Sequence, residues 1–422
     1  MKKIYLTLLS IFAINANSQT CTRYYSDVFS TVTTSSAIQF GSNTSWNGSG
    51  TTNLMLDFYQ PSGDAQALRP LIIFAHGGSF LGGTRTDADQ VALCNAFAKK
   101  GYVTASIDYR TGFFPFDSAN IVPALVRAYH DMKAAIRFFY KDARTANLYK
   151  VDTNFVFIGG SSAGAITALH VAYLNEQCEM EPYMSTTAIN ALGGIEGNSG
   201  NPGYPSKIKG VINICGALGK YWWMKTGDVP LCSLHGTADA TVLYGQGKAN
   251  PGFQTLYLDG SRMLYAGTQI SNVPHKFYTW YGAGHVPYGS NAAYMDSTIS
   301  FVRDFLLPYV NCSNTATLLP NTPAGTVNAY SYTPCTPSSI KEIANHLNFV
   351  AYPNPTNGEL NFKFTEFNTY QINIYTTSGK LVFSEKLDGA VIKINPALLS
   401  GIYFVKINDN TNKTSNFKLL VE

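Results

Sequence analysis

The chain has 422 residues, 45% of them hydrophobic and 13% charged, with a formal net charge of +4. The length exceeds that of one common core, so two domains are expected, and the apolar fraction excludes a disordered chain. So small a charge gives no electrostatic ground for nucleic acid or an anionic membrane as partner.

The N-terminal stretch predicts export. Lys2 and Lys3 precede the apolar run Tyr5–Ala13, which is too short to cross a bilayer. Ala16 and Ser18 place small residues where a signal peptidase requires them, so residues 1–18 read as a signal peptide and Gln19 as the mature start. No other segment is long and apolar enough for a membrane span. Export permits disulfides, and seven cysteines leave at least one thiol without a partner in the chain. Cys215 and Cys232 lie in strand-like runs and read as packing residues. Cys21, Cys94, Cys178, Cys312 and Cys335 are the bridge candidates, with no pairing assigned. No Cys/His spacing matches a zinc site.

From about Asn53 to Pro308, strand and helix patterns alternate. LMLDFYQ, LIIFAHGG and YVTASIDYR read as strands, and Pro123–Ala143 as a helix opened by its proline. FVFIG follows, then a helix from Ala165, the strands VINICGA, PLCSLHG and KFYTWYG, and a last helix in YMDSTISFVRDFLLPYV. Nearly unbroken apolar strands separated by helices predict an α/β fold, with a mostly parallel sheet covered on both faces. Residues 19–311 are assigned to it. Residues 312–347 are rich in Thr, Asn, Pro and Ser and read as a linker. Residues 348–422 switch to short alternating strands with a Ser378-Gly379 turn and predict a small all-β domain.

Phe155–Ala165 poses the chemical question, because Gly160-Ser161-Ser162-Ala163-Gly164 places G-x-S-x-G between a strand and a helix. The residues two before and two after the serine must be small for strand and helix to approach. That register selects Ser162 as nucleophile and makes Ser161 the variable position; a packing turn with no chemistry is the plainer alternative. A serine hydroxyl needs a base held by a third group. His285, on a glycine loop after the last strand, is the candidate base. His275 precedes a strand, His170 lies within a helix, and His76 and His235 read as loop-shaping residues. Asp239, after PLCSLHG, is the candidate acid ahead of Asp228 and Asp259, against the alternative of a capping aspartate. For the oxyanion of acyl transfer, the candidate donors are the N–H groups of Gly77, Gly78 and Ala163, with Ser79 able to add its own.

HGGSFLGG, SIDYR, GGSSAGA, HGTADATV and GAGHVPY resemble the α/β-hydrolase superfamily, in particular secreted carboxylesterases near the hormone-sensitive-lipase and type-B esterase branches. Ser79, Ser161 and Ala165 depart from residues common in that group. The resemblance implies hydrolysis of carboxylic esters through an acyl-serine, without a metal or cofactor. YPNPTNG, the INIY-x-x-x-GKLV hairpin and LLSGIYFVKI resemble the C-terminal sorting domain of the type IX secretion system. That resemblance implies the secretion machinery as partner and a secreted or outer-membrane-surface location. The alternative for this tail is a small β module that binds carbohydrate, with Tyr370, Tyr375 and Tyr403 as contacts.

Two insertions bear on substrate, Cys178–Lys207 and Gly219–Asp228. Trp222 and Trp223 of the second are expected to wall an acyl or aryl pocket, with core packing as the alternative. Ser79 and Ser161 are further expected substrate contacts. Neither insertion resembles a long amphipathic lid, which favours soluble small-molecule or polymer esters over lipid. A peptidase of prolyl-oligopeptidase type and a silent hydrolase fold used for binding are the rival functions.

Overall fold

The computed structural model describes residues 21–250, 252, 256–321, 323, 347–410 and 413–422. The expected signal peptide, most of the expected linker and Cys335 lie outside them. The chain divides into two compact units between residues 337 and 338.

In the first unit, β1 (Val32–Thr44), β2 (Thr51–Pro61) and β3 (Arg69–Ala75) lead to α1 (Ala88–Lys99), β4 (Val103–Ile107), α2 (Ser118–Arg144), β5 (Val151–Ser161) and α3 (Ala163–Tyr173). Two short helices, α4 (Gln177–Met180) and α5 (Thr186–Leu192), precede β6 (Gly210–Ile214), β7 (Ala217–Leu218) and β8 (Leu231–Gly236). Then come β9 (Gln246–Lys248), β10 (Tyr257–Gly260), α6 (Ser261–Ser271), β11 (His275–Trp280) and α7 (Ala292–Leu306). Eight strands form the main sheet in the order β1-β2-β4-β3-β5-β6-β8-β11. From β4 to β11 every pairing is parallel, and β1 and β2 add an antiparallel edge. β7, β10 and β9 form a small separate sheet.

Alternation along the central strands divides the core between the two faces of the sheet. Leu71, Ile73, Val156 and Ile158 join one core, which α2 and α3 cover. Ile72, Phe74, Phe157 and Ile212 join the other, with residues of α1 and α7. Side chains two apart on a strand share a face, so strands apolar at every position feed both layers. After β3 the chain crosses to β4 on one side and then returns to β5 on the other. The strand order therefore reverses between β3 and β5, where an open α/β sheet leaves a crevice at its carboxyl edge.

Some expectations need correction. The helix expected from Pro123 begins at Ser118, because Asp117 caps it by accepting from the Asn120 N–H at 2.9 Å. Cys94, a bridge candidate, is a free buried thiol like Cys215 and Cys232. Cys21 pairs with Cys312 across 291 residues, and Cys178 is disulfide-bonded as well.

The second unit is all-β: β12 (Phe349–Tyr352), β13 (Leu360–Thr376), β14 (Leu381–Ile394), β15 (Gly401–Asp409) and β16 (Thr414–Val421). All its strand pairings are antiparallel. Its core gathers Leu360, Phe362, Ile372, Ile374, Val405 and Leu419 from alternating positions. Tyr370 and Tyr403 are buried in it, against their use as surface contacts.

Candidate active site

β5 ends at Ser161 and α3 begins at Ala163, so Ser162 alone makes the turn, with φ 52° and ψ −118°. A non-glycine residue at positive φ is strained by roughly 1–3 kcal/mol, and its neighbours must hold it there. Packing explains the flanking glycines. A Cβ on Gly160 would lie 2.4 Å from the Ala75 carbonyl oxygen, and one on Gly164 only 2.0 Å from the same atom. Only glycine lets the end of β3 lie against the start of α3.

The loop after β3 runs past this turn. His76 donates from Nδ1 to the Gly77 carbonyl at 2.6 Å, and the Tyr109 hydroxyl donates to the carbonyls of His76 and Gly77 at 2.9 and 3.2 Å. The His76 ring stacks on Tyr109 with 4.3 Å between centroids. Burial keeps His76 neutral by lowering its pKa. With the Gly77 carbonyl held on this side, the Gly78 N–H of the same trans peptide points the opposite way. Gly78 has φ +105°, and a Cβ there would meet the Gly82 carbonyl oxygen at 2.2 Å. Ala163 is the first residue of α3 and has no carbonyl one turn back to bond.

Asp239 and His285 stand on the loops after β8 and β11. Gly236 allows these loops to touch, since a Cβ on it would come within 2.3 Å of the Ala283 carbonyl oxygen. Ala238 N–H donates to that same carbonyl at 2.9 Å. Ser162, Asp239 and His285 are thereby brought together. His285 Nδ1 lies 2.6 Å from Asp239 Oδ2, and Nε2 lies 2.8 Å from Ser162 Oγ. A carboxylate only accepts, so Nδ1 carries the proton and Nε2 offers its lone pair to the serine hydroxyl.

Asp239 accepts on both oxygens. Oδ1 takes the N–H groups of Thr241 and Val242, both at 2.9 Å, and Oδ2 takes His285 and, at 3.1 Å, His235 Nε2. Burial alone would raise its pKa, but the hydrogen bonds from His235 and His285 outweigh that and hold the carboxyl well below the ordinary range. Cys215 lies beside the pair, its thiol pushed up to about 12 by burial and by Asp239. Cys215, Asp239 and His285 have the composition of a metal site, but the Asp239 lone pairs all face N–H donors and the thiol keeps its proton.

His235 was expected to shape a loop, and its place here was missed. Its Nε2 faces two acceptors, Asp239 Oδ2 and the Val242 carbonyl at 2.9 Å, so Nε2 must carry a proton. Its Nδ1 meets Ser261 Oγ at 2.7 Å, and that hydroxyl already accepts from Asn213 Nδ2 at 2.9 Å. With Nε2 protonated, Nδ1 accepts from the Ser261 hydroxyl, whose other acceptor, the Gly216 carbonyl, is farther away at 3.4 Å. The sequence signal was HGTAD itself, in which a tight turn brings an imidazole and a carboxylate four apart onto one side.

Other expected contacts separate. Gly77, Gly78, Ser79, Ser161 and His285 line a polar cleft of about 320 Å³, together with Asp87 and Asp89. Ser161 turns its hydroxyl to Asp89 at 3.1 Å and accepts from Gln90 at 2.9 Å. Ser79 also reaches an apolar cavity of about 30 Å³ beside Ser162 and Ala163. Trp223 lines a different cavity, which shares Leu125 and Leu256 with that one. Trp222 lies edge-on to Tyr221 under the Lys220 ammonium and lines neither. His275 stands at the opposite, amino end of β11, and His170 is buried in α3.

A strained serine between β5 and α3, with acid and base on later loops at the same sheet edge, defines an α/β-hydrolase fold. Residues 56–219 match the BD-FAE family, and residues 350–422 match the secretion system C-terminal sorting domain, the type IX sorting domain. The first match includes Ser162 and the Gly77–Ser79 loop and ends before Asp239. No curated protein matches the chain. Among solved structures it is similar to apo Thermogutta terrifontis esterase 2, at 20% identity over 66% of this chain and 96% of that one, TM-score 0.49. The form of that esterase phosphorylated by paraoxon matches at 21% identity over 63% and 92%, TM-score 0.47.

Proposed function

We propose that this chain is a secreted serine carboxylesterase acting through an acyl-serine intermediate. The observation that carries the reading is the double engagement of His285, 2.8 Å from Ser162 Oγ and 2.6 Å from Asp239 Oδ2. Ser162 Oγ attacks the ester carbonyl as its proton passes to His285 Nε2. Asp239, kept ionised, stabilises the imidazolium that forms and fixes which nitrogen faces the serine. The N–H groups of Ala163, Gly77 and Gly78 are the proposed donors to the oxyanion, each worth about 3–4 kcal/mol of barrier. His285 then protonates the leaving alkoxide, and water repeats the sequence in reverse to free the acid.

The same reading divides the substrate between the two spaces at Ser162. His285 must deliver its proton to the leaving oxygen, so the alcohol lies in the polar cleft that His285 lines. The acyl group then enters the apolar cavity beside Ser162 and Ala163. The sorting domain supports export or surface attachment through the type IX machinery, with residues 1–18 as signal peptide, 19–311 as catalytic domain and 312–347 as linker. Ser162→Ala is expected to abolish p-nitrophenyl acetate turnover in a folded protein; retention of turnover in a pure sample would overturn the assignment.

A further inference from the structure

Next to the cavity beside Ser162, and sharing lining residues with it, lies a second one of the same size, about 30 Å³. The first is walled by Phe80, Ile121, Ile166 and Leu258, the second by Val126, His170, Met180 and Trp223. Leu125 of α2 and Leu256 are common to both and form the partition between them. We infer that the second cavity is a distal acyl subsite for a linear aliphatic chain, and that Leu125 and Leu256 set the chain-length limit by closing it off. The inference rests on the carboxylesterase reading and assigns the acyl specificity of that site.

Size sets the need for the subsite. One water-sized group occupies roughly 10–15 Å³ on this measure, so the first cavity takes about two carbon-sized groups beyond the carbonyl. A longer chain must either leave toward solvent or pass the two leucines.

The chemistry of the second cavity suits hydrocarbon. Its one titratable imidazole is spent inside the protein, because His170 Nδ1 donates to the Ile166 carbonyl at 2.7 Å and Nε2 accepts from the Gly219 N–H at 3.3 Å. Burial lowers its pKa to about 4, so the ring is neutral and shows only carbon to the cavity. Trp223 stands edge-to-face with His170 and with Tyr183, at 5.7 and 6.1 Å. Gly219 makes room for that indole, since a Cβ there would lie 2.2 Å from its ring. Met180 and Met184 complete the wall with unbranched side chains that adapt to a chain of varying length.

The test is a series of p-nitrophenyl esters from acetate to octanoate, on the full chain and on Leu125→Ala and Leu256→Ala. Each buried methylene is worth about fourfold in binding. Either substitution joins the cavities and should raise the octanoate-to-acetate ratio of kcat/KM by about tenfold or more. Adding Met184→Trp to Leu125→Ala refills the second cavity and should return the ratio toward its starting value. An unchanged ratio in both leucine variants, with acetate still cleaved, overturns the inference. Calorimetric titration of octanoate and acetate into Ser162→Ala, with and without Leu125→Ala, reads the subsite without turnover. Octanoate binding that does not tighten on removal of Leu125 also overturns it. Failure of the unsubstituted protein to cleave any ester would instead refute the esterase reading, and the titration would still decide the subsite.

Discussion

Replacing His235 by Leu deletes one of the two imidazole donors to Asp239 Oδ2 and leaves the Val242 carbonyl and the Ser261 hydroxyl facing carbon. A hydrogen bond to a charged group contributes about 1.5–3 kcal/mol. This one is long at 3.1 Å and shared with Val242 at 2.9 Å, which places it at the lower end. About 1.4 kcal/mol lost from the orientation of Asp239 is tenfold in rate, so kcat should fall about tenfold with KM little changed. His235→Gln separates positioning from packing, because its amide Nε2 can reach the same two acceptors and should restore most of the loss. Ser261→Ala, which removes the donor to His235 Nδ1 and leaves both acceptors of Nε2 in place, should cost a smaller factor. Thermal denaturation measured beside the kinetics separates lost stability from lost rate. In an Asp239→Ala background His235→Leu should add nothing further, since there is no carboxylate left to hold. A His235→Leu enzyme with full kcat, or a Gln variant as slow as the Leu variant, would refute the reasoning.

Three other outcomes follow from the geometry. Asp239 has its folded pKa lowered, so it contributes stability that is fully present above the unfolded carboxylate value near ~3.9 and is lost as pH falls through the folded one. The stability gap between the native protein and Asp239→Asn should therefore be constant from about pH 5 to 8 and shrink below about pH 4, as read by urea denaturation. Gly164→Ala places a methyl 2.0 Å from a backbone oxygen and must separate α3 from β3. It should cost about 3 kcal/mol or more and abolish turnover together with cooperative unfolding. Replacing Cys21 and Cys312 by Ser opens a loop of 291 residues and should cost about 2–5 kcal/mol, seen as a Tm lower by roughly 5–10 °C, with turnover at 25 °C retained.

What the chain revealed in advance tracks how local each requirement is. Ser162 was legible because its turn demands small residues at fixed offsets, and Gly160 and Gly164 meet the Ala75 carbonyl that imposes them. Asp239 and His285 were legible from chain order and from glycine loops after apolar strands, since a parallel sheet sends all such loops to one edge. His235 was not, because its role depends on which way a buried side chain turns at the end of β8, and an imidazole before glycine fits a loop equally well. β1 was missed for a different reason. It is a polar, largely exposed edge strand, and its irregular register with β2 removes the alternation that marks a half-buried strand. Adjacent Trp222 and Trp223 illustrate the limit. On a single 3-10 turn, neighbouring side chains diverge, one inward to a cavity and one beneath a lysine, and only the path of the backbone decides which. Composition marks such a pair as available for a pocket, but the direction of each ring is a tertiary fact, set here by the space that Gly219 leaves for Trp223.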